Sequence, residues 1–152
     1  AHVPMAEPTN KELMNISILT NAHHPKEIKE TIKLGRLFLN EHDKYKRLIA
    51  IFQPHRFSRV NEFFIEFANE LALADQIIIT NIYGAGEKNI NNISSSLIST
   101  EIFKLNKNVN IVKDNNEIRK NFNHLTREND LIINMGAGDC HNLWQILTSQ
   151  KY

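Results

Sequence analysis

Residues 48–59 read LIAIFQPHRFSR, and this stretch decides the fold class. Its first five residues, 48–52, form an unbroken apolar run, the pattern of a strand buried on both faces of a sheet. A polar loop over 53–59 follows, and the apolar spacing beyond it predicts a helix from about Val60 to Leu73. A buried strand that leads through a loop into a helix is the repeating unit of an α/β protein.

The rest of the chain repeats this alternation. Further strands are predicted at 14–20, 76–80, 109–112 and 130–134. Further helices are predicted at 25–40, from an N-cap at Ser94 to 105, at 115–125, and around Leu143, Trp144 and Leu147. The pattern predicts an α/β fold with a doubly wound, mostly parallel sheet flanked by helices, in one domain over 14–152. Residues 1–13 are predicted to be a lead-in, of which the four residues before Met5 are foreign to the native chain.

Composition excludes several classes of protein. The chain has 152 residues, with 18 Lys and Arg against 17 Asp and Glu, so a nucleic-acid or membrane-surface protein held by bulk charge is excluded. No apolar run approaches the roughly 18–20 residues of a membrane span. The single cysteine, Cys140, excludes an internal disulfide and is expected to be an inert thiol. We therefore expect a cytoplasmic protein with no nucleic-acid or membrane partner.

Two histidines, His23 and His24, follow the first predicted strand and precede the helix that begins at Pro25. Ligands of doubly wound sheets bind beyond the carboxyl ends of the strands, and imidazoles there suit proton exchange or binding of an anion. The alternative is a pair of helix-start residues, one capping and one solvated. As a metal site the pair is weak, because no Cys, Asp or Glu cluster joins it.

Three potential cations follow the second strand: His55, Arg56 and Arg59. The two arginines are three positions apart, so a helical turn starting there would point both guanidinium groups the same way. This arrangement suits bidentate capture of a carboxylate or phosphate. The alternative is a solvated polar loop.

Two glycine-bearing loops complete this edge, YGAGEK at 83–88 and GAGD at 136–139. Either loop would let a ligand approach the backbone closely. The alternative for each loop is a tight turn with no ligand. Neither is a P-loop, because the spacing G-x-x-x-x-G-K-[ST] occurs nowhere in the chain, and the second falls short of a dinucleotide fingerprint.

Four motifs together resemble the C-terminal, Rossmann-like domain of the Mur ligase family: AHHPKEIK at 22–29, FQPHRFSR at 52–59, IYGAGEK at 82–88 and NMGAGD at 134–139. The likeness covers about residues 15–148 and is to the branch that joins L-alanine to UDP-N-acetylmuramate for peptidoglycan. It implies an ATP-dependent ligase of three domains, of which this chain is the third. An N-terminal domain would hold the UDP-sugar, and a central domain would bind most of the ATP and Mg²⁺. The muramoyl carboxylate would become an acyl phosphate, which the amine of L-alanine attacks. The chain alone is therefore predicted to be inactive.

The resemblance also assigns residues. Those expected at the amino-acid substrate are Arg56, Arg59, His55 and His24. Those expected near the nucleotide are His23, Thr20, Asn21, Tyr83, Gly86 and Glu87, and the final turn matches Gly136, Ala137 and Gly138. One departure stands out, because the family usually has Asp-Asp-Tyr where this chain has Leu19, Thr20 and Asn21. A threonine hydroxyl cannot replace an ionised carboxylate at the ribose, so weaker ATP binding is expected.

The motifs leave other interpretations of the function open. The ligase that recycles a murein tripeptide onto UDP-N-acetylmuramate shares similar motifs. The missing acid at Thr20 and the lack of the other two domains also fit a stand-alone module that binds a nucleotide or an amino acid. A response-regulator or flavodoxin-like protein fits less well, because the acidic cluster expected after the first strand is absent.

Overall fold

A computed structural model describes residues 15–137. Strands and helices alternate along the chain in the order β1 (Ile16–Thr20), α1 (Pro25–Glu41), β2 (Arg47–Phe52), α2 (Phe57–Leu71), β3 (Gln76–Ile79), α3 (Ser96–Leu105), β4 (Val109–Ile111), α4 (Asn115–Leu125) and β5 (Asp130–Met135). The last predicted helix, the Gly138 and Cys140 positions and residues 1–14 lie outside the described residues.

The five strands form one parallel sheet in the order β1-β5-β2-β3-β4. The chain leaves β1 for β2, moves outward to β3 and β4, and returns to place β5 between β1 and β2. As a result, the loops that follow β1, β5, β2 and β3 are neighbours at the carboxyl edge of the sheet. This arrangement confirms the α/β fold class predicted from the alternating pattern.

Each face of the sheet packs against its own set of helices. On one face Ile28 of α1, Phe67 of α2 and Ile98 of α3 belong to a single apolar core with Ala50 and Ile133 of the sheet. On the other face Ile118 of α4 packs with neighbouring strand residues, which are Ile49, Ile51, Ile78 and Ile132. Within residues 15–137, three helices therefore cover one face and α4 covers the other, which is the doubly wound arrangement.

Helix α1 shows how the sequence sets this packing. It begins with Pro25, whose missing N–H costs nothing in a first turn, and Glu27 lies at its positively polarised end. Gly35 lies on the buried face, where an added Cβ would come within 2.9 Å of Ile133 and 3.0 Å of Leu48. The helix therefore approaches the sheet closely, while Leu34 and Leu37 remain about half exposed.

Two predicted boundaries are wrong. Helix α2 begins at Phe57, three residues before the predicted Val60, and kinks at Phe63, whose φ is −120°. The N-cap of α3 is Ser95 and not Ser94, although the Ser94 hydroxyl accepts a hydrogen bond from the N–H of Ser96 at 3.3 Å. Among residues 15–137, no helix is long and apolar enough to cross a membrane.

Candidate functional site

The loops after β2 and β3 are joined at the carboxyl edge of the sheet. The N–H of Tyr83 donates to the carbonyl of Pro54 at 2.8 Å, and the N–H of Arg56 donates to the carbonyl of Tyr83 at 2.8 Å. These bonds form an isolated parallel bridge between His55 and Tyr83, beyond the ends of the regular strands. The loops that carry two predicted site motifs are therefore one connected structure.

The histidine pair after β1 is fixed by Glu27 in the first turn of α1. Its carboxylate accepts the N–H of His23 at 3.2 Å and the N–H of His24 at 3.0 Å. Burial raises the pKa of Glu27, but these two hydrogen bonds and the nearby imidazoles outweigh it and lower the pKa overall. Nδ1 of His23 also donates to the carbonyl of Asn21. The backbone of the histidine pair is thus held in place while both rings extend toward the loop after β2.

Aromatic rings form a row across this edge. The ring centroids of His24 and His23 are 5.0 Å apart, and those of His23 and His55 are 5.3 Å apart with the rings edge to face. His55 then stacks on Tyr83 at 5.8 Å with an interplanar angle of 11°. The structure therefore brings together residues from three predicted motifs.

Arg59 orients the ring of His55. Its Nη1 lies 3.0 Å from Nδ1 of His55. A guanidinium group only donates, so Nδ1 is the acceptor, and a neutral His55 carries its proton on Nε2. Burial lowers the pKa of His55, and the positive charge of Arg59 lowers it further. The pKa of His24 is lowered by burial and then by the charge of Arg59. Both imidazoles therefore favour the neutral form at neutral pH.

Arg56 occupies an unusual backbone position. It is the N-cap of α2, with φ 70° and ψ 132°, and its side chain is exposed. The condition under which both guanidinium groups would point the same way, a helical turn starting at Arg56, is therefore not met, because Arg59 lies inside α2 and Arg56 lies before it. Both nevertheless belong to the same four-residue segment at the carboxyl edge of the sheet.

Glu87 caps α2 from the neighbouring loop. One carboxylate oxygen accepts the N–H of Ser58 at 3.0 Å, and the other accepts the hydroxyl of Ser58. The hydrogen bonds from the side chain and backbone of Ser58 lower the pKa of Glu87. Both carboxylate oxygens are therefore engaged within the protein.

The remaining predicted residues differ in accessibility. Thr20 is 3% exposed, and its hydroxyl accepts the N–H of Ala22 at 3.3 Å. Asn21 is exposed, and Tyr83 is 43% exposed. Gly86 has φ +86°, and a Cβ there would meet no atom within 4 Å. Of the final turn, Gly136 donates its N–H to the carbonyl of Thr20 at 3.3 Å, which extends the pairing of β5 with β1.

The arginines of this edge are not paired with carboxylates in the part of the chain that the structure describes. Within residues 15–137, neither Arg56 nor Arg59 has a carboxylate oxygen within 4.0 Å. The same residues contain no group of three or more His, Cys, Asp or Glu side chains that could hold a metal ion. This edge therefore presents two guanidinium groups and neutral imidazoles, which are side chains suited to binding an anion.

Sequence reasoning missed two contributors to this edge, Ser58 and Phe57. Ser58 binds Glu87 across 29 positions of sequence, and the Phe57 ring covers Gly84 so closely that an added Cβ would lie 2.8 Å from it. No local pattern signals either contact. The acidic position of Glu27 after Pro25 was a usable signal, because a carboxylate at that position often accepts backbone N–H groups at a helix start.

Comparison with known proteins identifies the family of this chain. The family described as "Mur ligase, glutamate ligase domain" matches residues 9–138. This chain belongs to the Mur ligase family. The resemblance inferred from the four motifs is therefore confirmed.

Individual relatives show how much of a Mur ligase this chain represents. A UDP-N-acetylmuramate–L-alanine ligase of Prochlorococcus marinus subsp. pastoris is 60% identical over 135 residues, which cover 86% of this chain and 28% of that protein. The crystal structure of a UDP-N-acetylmuramate–alanine ligase from Thermotoga maritima is similar with a TM-score of 0.64 at 25% identity, over 86% of this chain and 25% of that one. The chain therefore spans about a quarter of the length of these relatives.

A third protein shares the fold. A murein peptide ligase from Psychrobacter arcticus has a TM-score of 0.69 at 17% identity, over 95% of this chain and 29% of that one. At this identity the likeness concerns architecture alone. The Mur ligase fold of this domain is thus found in ligases whose names give different substrates.

Proposed function

We propose that this Mur ligase domain is the C-terminal part of a cytoplasmic enzyme that joins L-alanine to UDP-N-acetylmuramate with ATP as co-substrate. The 60% identity to an alanine ligase, over 86% of the chain, supports this substrate class. The domain's contribution is to bring the amino acid and part of the nucleotide site to the N-terminal and central domains of the same ligase. By itself it ligates nothing, since it lacks a P-loop.

The observation that carries the proposal is the pair of guanidinium groups at the carboxyl edge. Arg56 and Arg59 lack carboxylate partners among the described residues, while an amino-acid substrate has a free carboxylate. Arg56 is exposed at the edge, so its side chain is free to reach a carboxylate that arrives from solvent. Arg59 is held by His55, so its guanidinium group binds the same carboxylate from a fixed position. Together they orient L-alanine with its amino group toward the other domains.

Neutral imidazoles complete this role. The lowered pKa of His24 keeps its ring uncharged at neutral pH, so the ring does not compete with the arginines for the carboxylate. A neutral ring nitrogen can accept a hydrogen bond from the amino group, which must lose a proton before it attacks an acyl phosphate. His24 therefore helps to present the amine in its reactive form.

The nucleotide contacts that we propose are Asn21, His23, Tyr83 and Gly86. Asn21 and Tyr83 are exposed at the same edge, and the open space beside Gly86 admits a ligand close to the backbone. Thr20 contributes only by its position at the end of β1, because its buried hydroxyl already accepts the N–H of Ala22. The described residues do not form a magnesium site, so we assign no step to Mg²⁺ here.

Arg56→Ala tests this assignment in the complete ligase that contains this domain. Losing hydrogen bonds to a charged group costs about 1.5–3 kcal/mol, so the KM for L-alanine should rise about 10–100-fold. Steady-state kinetics with L-alanine varied at saturating ATP and UDP-N-acetylmuramate would measure it. Arg56→Lys keeps the charge without the forked pair of donors, so its KM for L-alanine should fall between those of the wild type and Arg56→Ala. Unchanged KM and kcat would refute the role.

Acceptor competition separates the alanine-adding reaction from tripeptide recycling. The complete enzyme would be given radiolabelled L-alanine and a murein tripeptide together. We expect label from alanine to enter the product while the tripeptide competes poorly. Preferential use of the tripeptide would replace the proposed substrate.

A further inference from the structure

The loop 83–87 holds the segment 54–58 on both sides of Arg56. On the side before Arg56, the N–H of Tyr83 donates to the carbonyl of Pro54 at 2.8 Å. At Arg56 itself, the N–H donates to the carbonyl of Tyr83 at 2.8 Å. One loop therefore fixes the backbone up to the residue that carries the exposed guanidinium group.

On the side after Arg56, the same loop acts through Glu87. Its carboxylate accepts both the N–H and the hydroxyl of Ser58. The N–H of Glu87 donates to the carbonyl of Gly84 at 3.0 Å, which closes the turn that presents the carboxylate. Phe57 lies against Gly84 in the same turn. The first turn of α2 is thus attached to the loop after β3 by contacts on two successive residues.

The backbone of Arg56 needs this support. Its φ of 70° is in the left-handed region, which residues other than glycine seldom occupy. Such a conformation persists only where surrounding contacts determine it. Hydrogen bonds on both sides of Arg56 provide those contacts, and the last of them depends on one side chain, that of Glu87.

We propose that Glu87 is a positioning residue that holds the start of α2 so that Arg56 and Arg59 can bind the substrate carboxylate together. What the arginines bind rests on the proposed function, whereas the clamp itself does not. Because Glu87 already accepts the N–H of Ser58, that N–H is not open to the substrate carboxylate, and the arginine side chains are the groups that bind it. Without Glu87, the first turn of α2 loosens and the helix begins later.

The structural part of the test uses this 152-residue chain. Amide hydrogen exchange at Ser58 is measured by NMR in three variants: Glu87→Ala, Glu87→Gln and Lys88→Ala. Losing one hydrogen bond to a charged group should speed exchange about tenfold or more in Glu87→Ala. Gln keeps an acceptor oxygen and should restore most of the protection. Lys88 is the exposed neighbour and serves as the matched control, with no change expected.

The kinetic part uses the complete ligase. Glu87→Ala should raise the KM for L-alanine about tenfold with a smaller change in kcat, and Glu87→Gln should restore most of the wild-type KM. Rescue by Gln distinguishes a clamp from a carboxylate whose charge acts on a ligand. If Arg56→Ala leaves the KM unchanged, the proposed function fails, and the exchange experiment still decides whether the clamp exists.

Two results would overturn the inference. The first is exchange at Ser58 in Glu87→Ala that stays within twofold of the wild-type rate. The second is a Glu87→Gln enzyme as impaired as Glu87→Ala, with normal protection at Ser58. That second result would make Glu87 a direct ligand of the nucleotide, as the resemblance implied.

Discussion

The two ends of the sheet differ in how their charged side chains are paired. At the amino end, Asp130 begins β5 directly opposite Arg47 of β2, and the pair makes two parallel hydrogen bonds at 3.0 and 2.9 Å. Arg36 and Asp75 form a second pair at 2.9 Å at the same end. At the carboxyl end, Arg56 and Arg59 have no carboxylate partner within the described residues.

This difference separates stability from function. A carboxylate that is 1% exposed must be paired, and Asp130 also accepts the N–H of Arg127 at 2.6 Å. Such groups hold loops to strands and leave nothing for a ligand. The carboxyl end instead keeps its carboxylates on backbone N–H groups, through Glu27 and Glu87, and leaves the guanidinium groups for an anion. Ligand binding is therefore expected at the carboxyl end alone.

Asp130→Ala, at the amino end of the sheet, should cause the largest loss of stability. It leaves the largely buried guanidinium group of Arg47 without its partner and removes the acceptor of the Arg127 N–H, which predicts a loss of about 3–5 kcal/mol in the free energy of unfolding. Urea unfolding followed by circular dichroism would measure the change.

The matched control for Asp130→Ala is Glu101→Ala. Glu101 pairs with Lys104 at 3.0 Å on the surface of α3, where the lysine side chain is 63% exposed. Such a pair contributes about 0.2–1 kcal/mol. Equal losses in the two variants would show that the amino end is not specially stabilised by its buried ion pair.

Gly84→Ala should disturb the carboxyl end by a steric route. The new Cβ would lie 2.8 Å from Cε2 of Phe57, so the ring or the loop must move, at a cost of about 1–2 kcal/mol in the free energy of unfolding. The same urea titration would show it. Ala85→Gly is the control in the same turn, since Ala85 has φ 53° and glycine tolerates that conformation. A neutral Gly84→Ala would mean that Phe57 moves freely and does not secure the turn.

The fold was predictable because its signal is local. Residues 48–52 and 130–134 are continuous apolar runs, and strands with this pattern must be covered on both faces. The alternation of strands with helices then leaves few topologies. The boundaries were less predictable, and α2 shows the reason. Its first turn is capped by Glu87 from 29 positions away, which no window around Val60 contains.

The placement of the candidate residues at the carboxyl edge was predictable, and their geometry was not. The motifs placed His23, His55 and Tyr83 at the carboxyl edge, where their rings indeed form a row. The sequence spacing would orient Arg56 and Arg59 alike only in helical geometry, which Arg56, with φ 70°, does not have. That conformation depends on the hydrogen bond from the N–H of Arg56 to the carbonyl of Tyr83, which joins the loops after β2 and β3. Long-range contacts of this kind leave no local sequence pattern.

The smallest predicted effect is a pH dependence from the carboxyl end. The pKa values of His24 and His55 are lowered from 6.5, by burial first and then by the charge of Arg59. The unfolded chain therefore binds more protons than the folded one just below pH 6.5. The stability that these histidines contribute is fully present above their unfolded pKa and is lost as the pH falls through the folded values. The effect is small because His24 is exposed and His55 is only partly buried.

Urea midpoints between pH 8 and pH 5.5 would measure this loss. Glu27 and Glu87 have pKa values lowered from 4.5, so their stabilising effects are lost only below that pH and do not interfere. A His24→Asn, His55→Asn double variant should show a flatter pH dependence than the wild type. Lys104→Ala, on the distant surface of α3, should keep the wild-type slope. An unchanged slope in the double variant would mean that the folded protein holds these protons as the unfolded chain does, and the neutral imidazoles proposed for the site would be wrong.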